Sequence, residues 1–367
     1  MAQSKIAICH QSLVWGDAIG HDAVGMYRLL KTFGLAPILV CEAAVNLPAD
    51  VTATSLNELD VNSVCLLIFH HSQYWAGGER LLAAINCPVI LRYHNITPAH
   101  FFAPYSPLHM AGCSEGREMT KRLLQLKGRP LWIADSAYNK QDLVESGADP
   151  DTIRVVPPFN RIQSLTGYSN HADYDSSVVD FLFVGRCAPN KGHSHLLRVM
   201  RAFLDQGDKN ARLRIVGEIH PSLAAYHANL ADQMAGLGLQ ANVELIPHSP
   251  DAELRNLFRA AHIYLCFSEH EGFCVPVIEA QAVGLPVVAS GAAAVGETIG
   301  TEQFVAEPPA SPADYRFYAA LCHRVVRDAE LRSELVLQGE RNARTRFSAE
   351  SIENAFAGAL YEVLYRQ

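Results

Sequence analysis

No stretch of this 367-residue sequence approaches the roughly 20 consecutive apolar residues that a membrane-crossing helix requires. Met1 to Lys5 run straight into a short β-rich segment without the apolar core of a secretory leader, so a cytoplasmic location is expected. Positive charge is scarce. Thirty Lys and Arg stand against 38 Asp and Glu, a formal net charge of -8, and a general nucleic-acid binder, which needs a clustered basic surface, is excluded. None of the nine cysteines forms a C-x-x-C pair, and Cys65 and Cys266 lie inside apolar runs; they read as reduced core residues, without a disulfide frame or zinc site. The two Asp-x-Asp triplets, Asp149 to Asp151 and Asp173 to Asp175, do not end apolar strands. They read as turns, and no catalytic metal is expected. The glycine-rich run Gly16 to Gly25 lacks a proper G-x-G-x-x-G, so it is only a weak dinucleotide signal.

What is present is a repeated alternation of short apolar runs with helical stretches. With 49% hydrophobic and 19% charged residues, the chain can build two ordinary cores. In the first half the runs begin at Lys5, Pro37, Val64, Pro88, Leu131 and Ile153; after a polar, turn-rich stretch over 160–177 they restart at Val179, Leu213, Val243, Ile263 and Pro286. Such alternation predicts an α/β fold of two doubly wound, Rossmann-like halves with parallel sheets. Ligands in such sheets bind beyond the carboxyl ends of the strands, so the expected site is a cleft between two facing halves.

The most informative stretch is Ser268 to Ala280. The run His262 to Phe267 before it has strand character. Pro276 to Val283 reads as a helix opened by Pro and stopped by Gly284-Leu285-Pro286. Backbone N–H groups at a helix start lack internal partners and suit a phosphate. Glu271 then lies in the loop and Glu279 about one turn into the helix, where a carboxylate can accept from a ribose diol. Gly185 to His193 repeats the logic after the first strand of the second half. Its Arg186 offers a two-pronged guanidinium and its Lys191 a point charge, both suited to a diphosphate leaving group. In the first half, small residues around Gly20 permit close approach to the backbone, and Tyr93-His94-Asn95-Ile96-Thr97-Pro98 follows a clear strand.

The pattern Glu-Gly-Phe-x-x-Pro-x-x-Glu-Ala from Glu271, followed by Gly284 to Ser290, resembles the Glu-seven-residues-Glu motif of the family-four retaining glycosyltransferases of the GT-B fold. The resemblance covers roughly residues 130 to 300 and is weak over the first hundred. It implies an acceptor-binding domain over 1–165, a donor-binding domain over 175–350, and a C-terminal helix over 351–367 that packs back on the first domain. It implies transfer of a hexose from a nucleoside diphosphate sugar, with retention, to a saccharide or lipid-linked saccharide, and no cofactor. Arg186 and Lys191 would grip the pyrophosphate with Gly20, Gly185, Gly272, Phe273, Cys274 and Val275 around the donor. His94 and Glu271 would face the sugar, Glu279 the ribose, and Asn95 and Thr97 the acceptor, with His21 a further candidate beside Gly20. His70 and His71 compete with His94 and read as acceptor-side or structural.

The Tyr93 to Pro98 segment is similar to that of some bacterial polysaccharide mannosyltransferases, which favours GDP-mannose as donor ahead of a UDP-sugar. Cys274, Gln281 and His248 depart from the residues common in the motif. The basic run Arg117 to Arg129, with interleaved leucines, reads as a solvated helix face, with contact to an anionic membrane surface as the alternative. The competing functions are a GT-B-fold epimerase or phosphorylase and a non-catalytic nucleotide-binding module. Oligomeric state is not read from the sequence.

Overall fold

The computed structural model describes residues 4–165, 167–207 and 210–365. The chain divides into two compact units, one formed by Met1–Ala99, Ala111–Arg161 and Ala349–Gln367, the other by His100–Met110 and Ile162–Ser348.

The strands of the first unit are β1 (Lys5–Cys9), β2 (Ser12–Val14), β3 (Pro37–Cys41), β4 (Ala43–Val45), β5 (Ala53–Ser55), β6 (Val64–His71), β7 (Val89–Tyr93), β8 (Leu131–Ala134) and β9 (Ile153–Val155). Seven of them form a parallel sheet in the order β5-β3-β1-β6-β7-β8-β9, and β2 pairs with β4 in a small separate ribbon. The central strands are buried along most of their length because both faces are covered. Successive residues still divide between faces: Ile6 and Ile8 join one core cluster, Ala7 and Cys9 the other. The helix expected over 351–367 is observed as Ala349–Tyr365, while residues 366 and 367 lie outside the described residues. It places Ile352, Phe356 and Leu360 in the Ile6 and Ile8 cluster. Phe356 meets Phe159 edge-on at 5.7 Å, and Glu362 takes Arg154 in a two-pronged ion pair.

The second unit holds β10 (Val178–Val184), β11 (Asn210–Val216), β12 (Val243–Ile246), β13 (Ile263–Cys266), β14 (Val287–Ser290) and β15 (Val305–Ala306) in the parallel order β12-β11-β10-β13-β14-β15. Each sheet grows outward in both directions from its first strand. The order therefore reverses between β1 and β6 in one unit and between β10 and β13 in the other, the switch points where such sheets bind ligands.

The expected first domain runs unbroken to residue 165, but residues 100–110 and 162–165 belong to the second unit. Burial is the reason. Ile162 packs with Phe273, Ile278 and Phe347, Leu165 joins the β13 core, and Tyr105 meets Tyr226 edge-on at 5.0 Å.

Candidate active site

In the second unit, β10 and β13 are hydrogen-bonded neighbours, so the loops that leave their carboxyl ends emerge side by side. The β10 loop closes in a tight turn over Pro189–Lys191 and enters the helix His193–Gln206 through Gly192. Gly192 is left-handed at φ 67°, and a Cβ there would lie 1.8 Å from the Phe267 carbonyl oxygen, so only glycine lets the loops approach this closely. Asn190 clips them together. Its carbonyl accepts from the N–H groups of Glu269 (2.9 Å) and His270 (3.3 Å), and its side-chain amide donates to the His270 carbonyl at 3.0 Å.

This brings Lys191 and Glu271 into contact. The Lys191 ammonium donates to both carboxylate oxygens of Glu271, at 2.8 and 2.7 Å, with the two side chains only 15% and 12% exposed. Arg186, on the same loop, is exposed. Its charge reaches His109 of the 100–110 segment, whose pKa is lowered by burial first and then by His220 and Arg186. Phe101 of that segment lies 6.3 Å from the His270 ring. The segment thus borders the two loops, a feature that no local sequence pattern announces.

The helix expected from Pro276 is Val275–Ala282, with Pro276 in its first turn. No side chain caps its start; Pro276 carries no N–H and the Val277 N–H donates to the Cys274 carbonyl at 3.2 Å, which leaves the Val275 N–H for an anion. Cys274, the residue before it, is left-handed at φ 79°. That conformation explains why glycine is common at this point of the motif. Gln281, another departure, accepts from Asn342 at 2.8 Å and donates to the Ile299 carbonyl at 2.8 Å, a polar pair inside the packing of this helix. Glu279 is 3% exposed.

Other expected ligand groups are used internally. The Phe273 ring is buried against Phe347, and its carbonyl accepts from Thr298 at 2.5 Å. Cys274 and Val275 also point side chains into or against core clusters, so residues 273–275 have only backbone to offer a ligand. Gly20 is a correction of a different kind. It lies in the first turn of the helix Ala18–Thr32, its N–H donates to the capping Asp17 at 2.6 Å, and a Cβ would meet the Val14 carbonyl at 2.0 Å. It is glycine for packing, and its amide is not available to a donor. His21 lies beside the Trp15 ring, 4.2 Å between centroids. Gly185 donates its N–H to the Val216 carbonyl in the same sheet.

In the first unit, His94 follows β7 with both ring nitrogens engaged: Nδ1 with Asp135 at 2.9 Å and Nε2 with His70 at 2.8 Å. Asn95 is left-handed at φ 68°, donates to Asn139 at 2.9 Å and accepts from the Ile96 N–H at 2.6 Å. Its side chain is spent on holding the turn, which leaves half-buried Thr97 as the acceptor-side candidate of the pair. His71 bonds Thr120 at 2.8 Å inside the sheet packing. The basic run is a solvated face. Lys121 pairs with Glu118, Arg122 with Glu79 and Glu115, and Arg117 with Asp142, while Met119 and Leu123 are buried. Both Asp-x-Asp triplets are turns, with Asp149 accepting from the Asp151 N–H at 3.0 Å and Asp173 from the Asp175 N–H at 3.1 Å. Among the described residues no helix is long and apolar enough to cross a membrane.

Two Rossmann-like units, the second with a cationic loop and an open helix start at its switch point, define a protein of the GT-B class. Residues 174–341 match the family model of the group 1 glycosyl transferases. It is 32% identical over 238 residues to the D-inositol 3-phosphate glycosyltransferase of Segniliparus rotundus, covering 60% of this chain and 50% of that protein. The corresponding protein of Frankia alni is 29% identical over 282 residues, covering 72% and 67%. The chain spans about half the length of the first of these relatives. Among solved structures, Anabaena HepE in complex with UDP and glucose superposes with a TM-score of 0.75 at 17% identity, covering 98% of this chain and all of that one. WaaG, a glycosyltransferase involved in lipopolysaccharide biosynthesis, gives 0.70 at 13% identity, covering 99% and 100%.

Proposed function

We propose that the protein transfers a hexose from a nucleoside diphosphate sugar to a hydroxyl of a saccharide or lipid-linked saccharide, with retention and without a metal. The observation that carries this reading is the Lys191–Glu271 pair, on two loops clipped by Asn190 beside an uncapped helix start. When the glycosidic bond breaks, the leaving diphosphate gains charge, and a cation held in place stabilises it without reorganising. Lys191 supplies that charge with Arg186 and the N–H groups of residues 273–275. Diphosphate binding draws Lys191 from Glu271, which frees the carboxylate to accept from sugar hydroxyls. Glu279 takes the ribose, and His94 is assigned to the sugar on the family resemblance. The donor is GDP-mannose on the likeness of Tyr93 to Pro98. The complex of HepE with UDP and glucose makes UDP-glucose the alternative to test beside it.

The test is a thermal-shift screen with UDP, GDP, UDP-glucose and GDP-mannose, followed by product analysis with the donor that binds. A ligand that binds only the folded chain raises the melting point. Stabilisation by one nucleotide family, and glycosylation of an added acceptor in the presence of EDTA, is the expected result. Sugar-nucleotide turnover with no product on any acceptor, or a strict need for divalent metal, would overturn the reading.

A further inference from the structure

The first unit carries a buried polar cluster at its own switch point. His70 is the penultimate residue of β6 and His94 follows β7; their rings stack with centroids 5.0 Å apart and planes 19° from parallel. The His94 N–H donates to the His71 carbonyl at 3.0 Å, so its backbone is fixed to β6 as well. Behind the rings, Arg92 is fully buried between two carboxylates, 2.8 Å from Asp22 and 2.9 Å from Asp135. The chain Asp135, His94, His70 is therefore continuous, with contacts of 2.9 and 2.8 Å.

We infer that His70 is a positioning residue for His94, holding the plane and the proton arrangement of the ring that the proposed transfer sets at the sugar. This inference rests on the function proposed above. The contact to His94 is the one hydrogen bond the His70 ring makes among the described residues; Nε2 has no partner. A fully buried imidazole with one nitrogen unsatisfied costs stability, and a leucine would fill the same space more cheaply. What leucine cannot do is bond His94 Nε2.

A metal ion is the competing occupant. Asp22 Oδ2, His70 Nδ1 and His94 Nε2 form a triangle with sides of 3.8, 3.8 and 2.8 Å. Its centre is about 2 Å from each atom, a zinc-ligand distance. Charge decides against the ion. One guanidinium against two carboxylates leaves a single negative charge. A divalent ion would overshoot it and would crowd the Arg92 Nε already 2.8 Å from the same Asp22 oxygen.

The test uses the full chain with isotope-labelled histidine, the variants His70→Phe and His70→Asn, and UDP-glucose and GDP-mannose as probe donors. Phenylalanine keeps the ring without its nitrogens, and the amide of asparagine reaches the place of Nδ1. His70→Phe is expected to lower kcat about tenfold or more with donor KM within about threefold, and His70→Asn to recover most of the loss. The ring-nitrogen resonances of His94 should move in His70→Phe and stay close to wild type in His70→Asn. If neither donor turns over, the proposed function is what has failed, and the resonances still decide the positioning role. Unmoved His94 resonances, equal losses in both variants, or a stoichiometric metal ion released by His70→Asn would overturn the inference. Should His70→Phe not fold, loss of the His94 signature in His70→Asn overturns it alone.

Discussion

Lys191 and Glu271 neutralise one another in the folded chain before any ligand arrives, at 2.7 Å and largely out of water. Lys191→Ala is therefore expected to leave an uncompensated carboxylate and to lower stability by about 1–3 kcal/mol, whereas Arg186→Ala, on an exposed side chain, should stay within about 0.5 kcal/mol. Both should cut transfer by orders of magnitude, because each removes charge aimed at the departing diphosphate. Chemical unfolding and initial rates of both variants check this. Adding Glu271→Gln to Lys191→Ala should restore part of the stability and none of the activity, since the neutral amide no longer needs the ammonium. The two glutamates separate in calorimetry. Glu279→Gln should weaken the bare nucleoside diphosphate and the full donor alike, while Glu271→Gln should spare the bare nucleotide and lower kcat. The reverse pattern would exchange their places.

At the scale of elements, two joints decide whether the donor loops form. Gly192→Ala should cost more than about 2 kcal/mol, because its Cβ would run into the Phe267 carbonyl at 1.8 Å. At Cys274 the expected order is unusual. Cys274→Gly should be less destabilising than Cys274→Ala by about 1 kcal/mol, since glycine alone has no penalty at φ 79°. Melting curves of the two variants settle the order. These joints also show how far the sequence could be read. Strand, loop and helix around Pro276 were legible because Pro, Gly and apolar runs act locally, and the charges at Arg186, Lys191 and Glu271 stand inside that punctuation. Sequence does not show that a Cβ at Gly20 would meet the Val14 carbonyl, or that the Phe273 ring packs on Phe347, 74 residues away in sequence, and leaves only its backbone for a donor. Asn190, within the Gly185 to His193 stretch, has no role that its neighbours in sequence reveal. Its bonds to residues 269 and 270 span a distance in sequence that no pattern of spacing reveals.

For the molecule as a whole, buried neutral histidines set the acid limit. Burial lowers His10 to about 4, and His71 and His193 to about 3. Each stays neutral when folded but binds a proton when unfolded below its ordinary value of 6.5, so its contribution is present above that value and lost as pH falls towards 3 to 4. The loss amounts to the order of 3 kcal/mol for His10. Urea midpoints should therefore fall steadily from pH 7 to pH 5, and a flat profile would show that these rings are hydrated.

The chain passes between its two units at 99/100, 110/111, 161/162 and 348/349. During vectorial synthesis on the ribosome, Ile6 and Ile8 emerge early, but Ile352, Phe356 and Leu360, which cover the same core, are made only after the whole of the second unit. The first unit must wait for its own lid, holding an exposed apolar face through most of translation. A released chain ending at Ser348 should carry a completed second unit and a protease-sensitive first one, and a permuted gene that places residues 349–365 ahead of β1 should shorten that exposure.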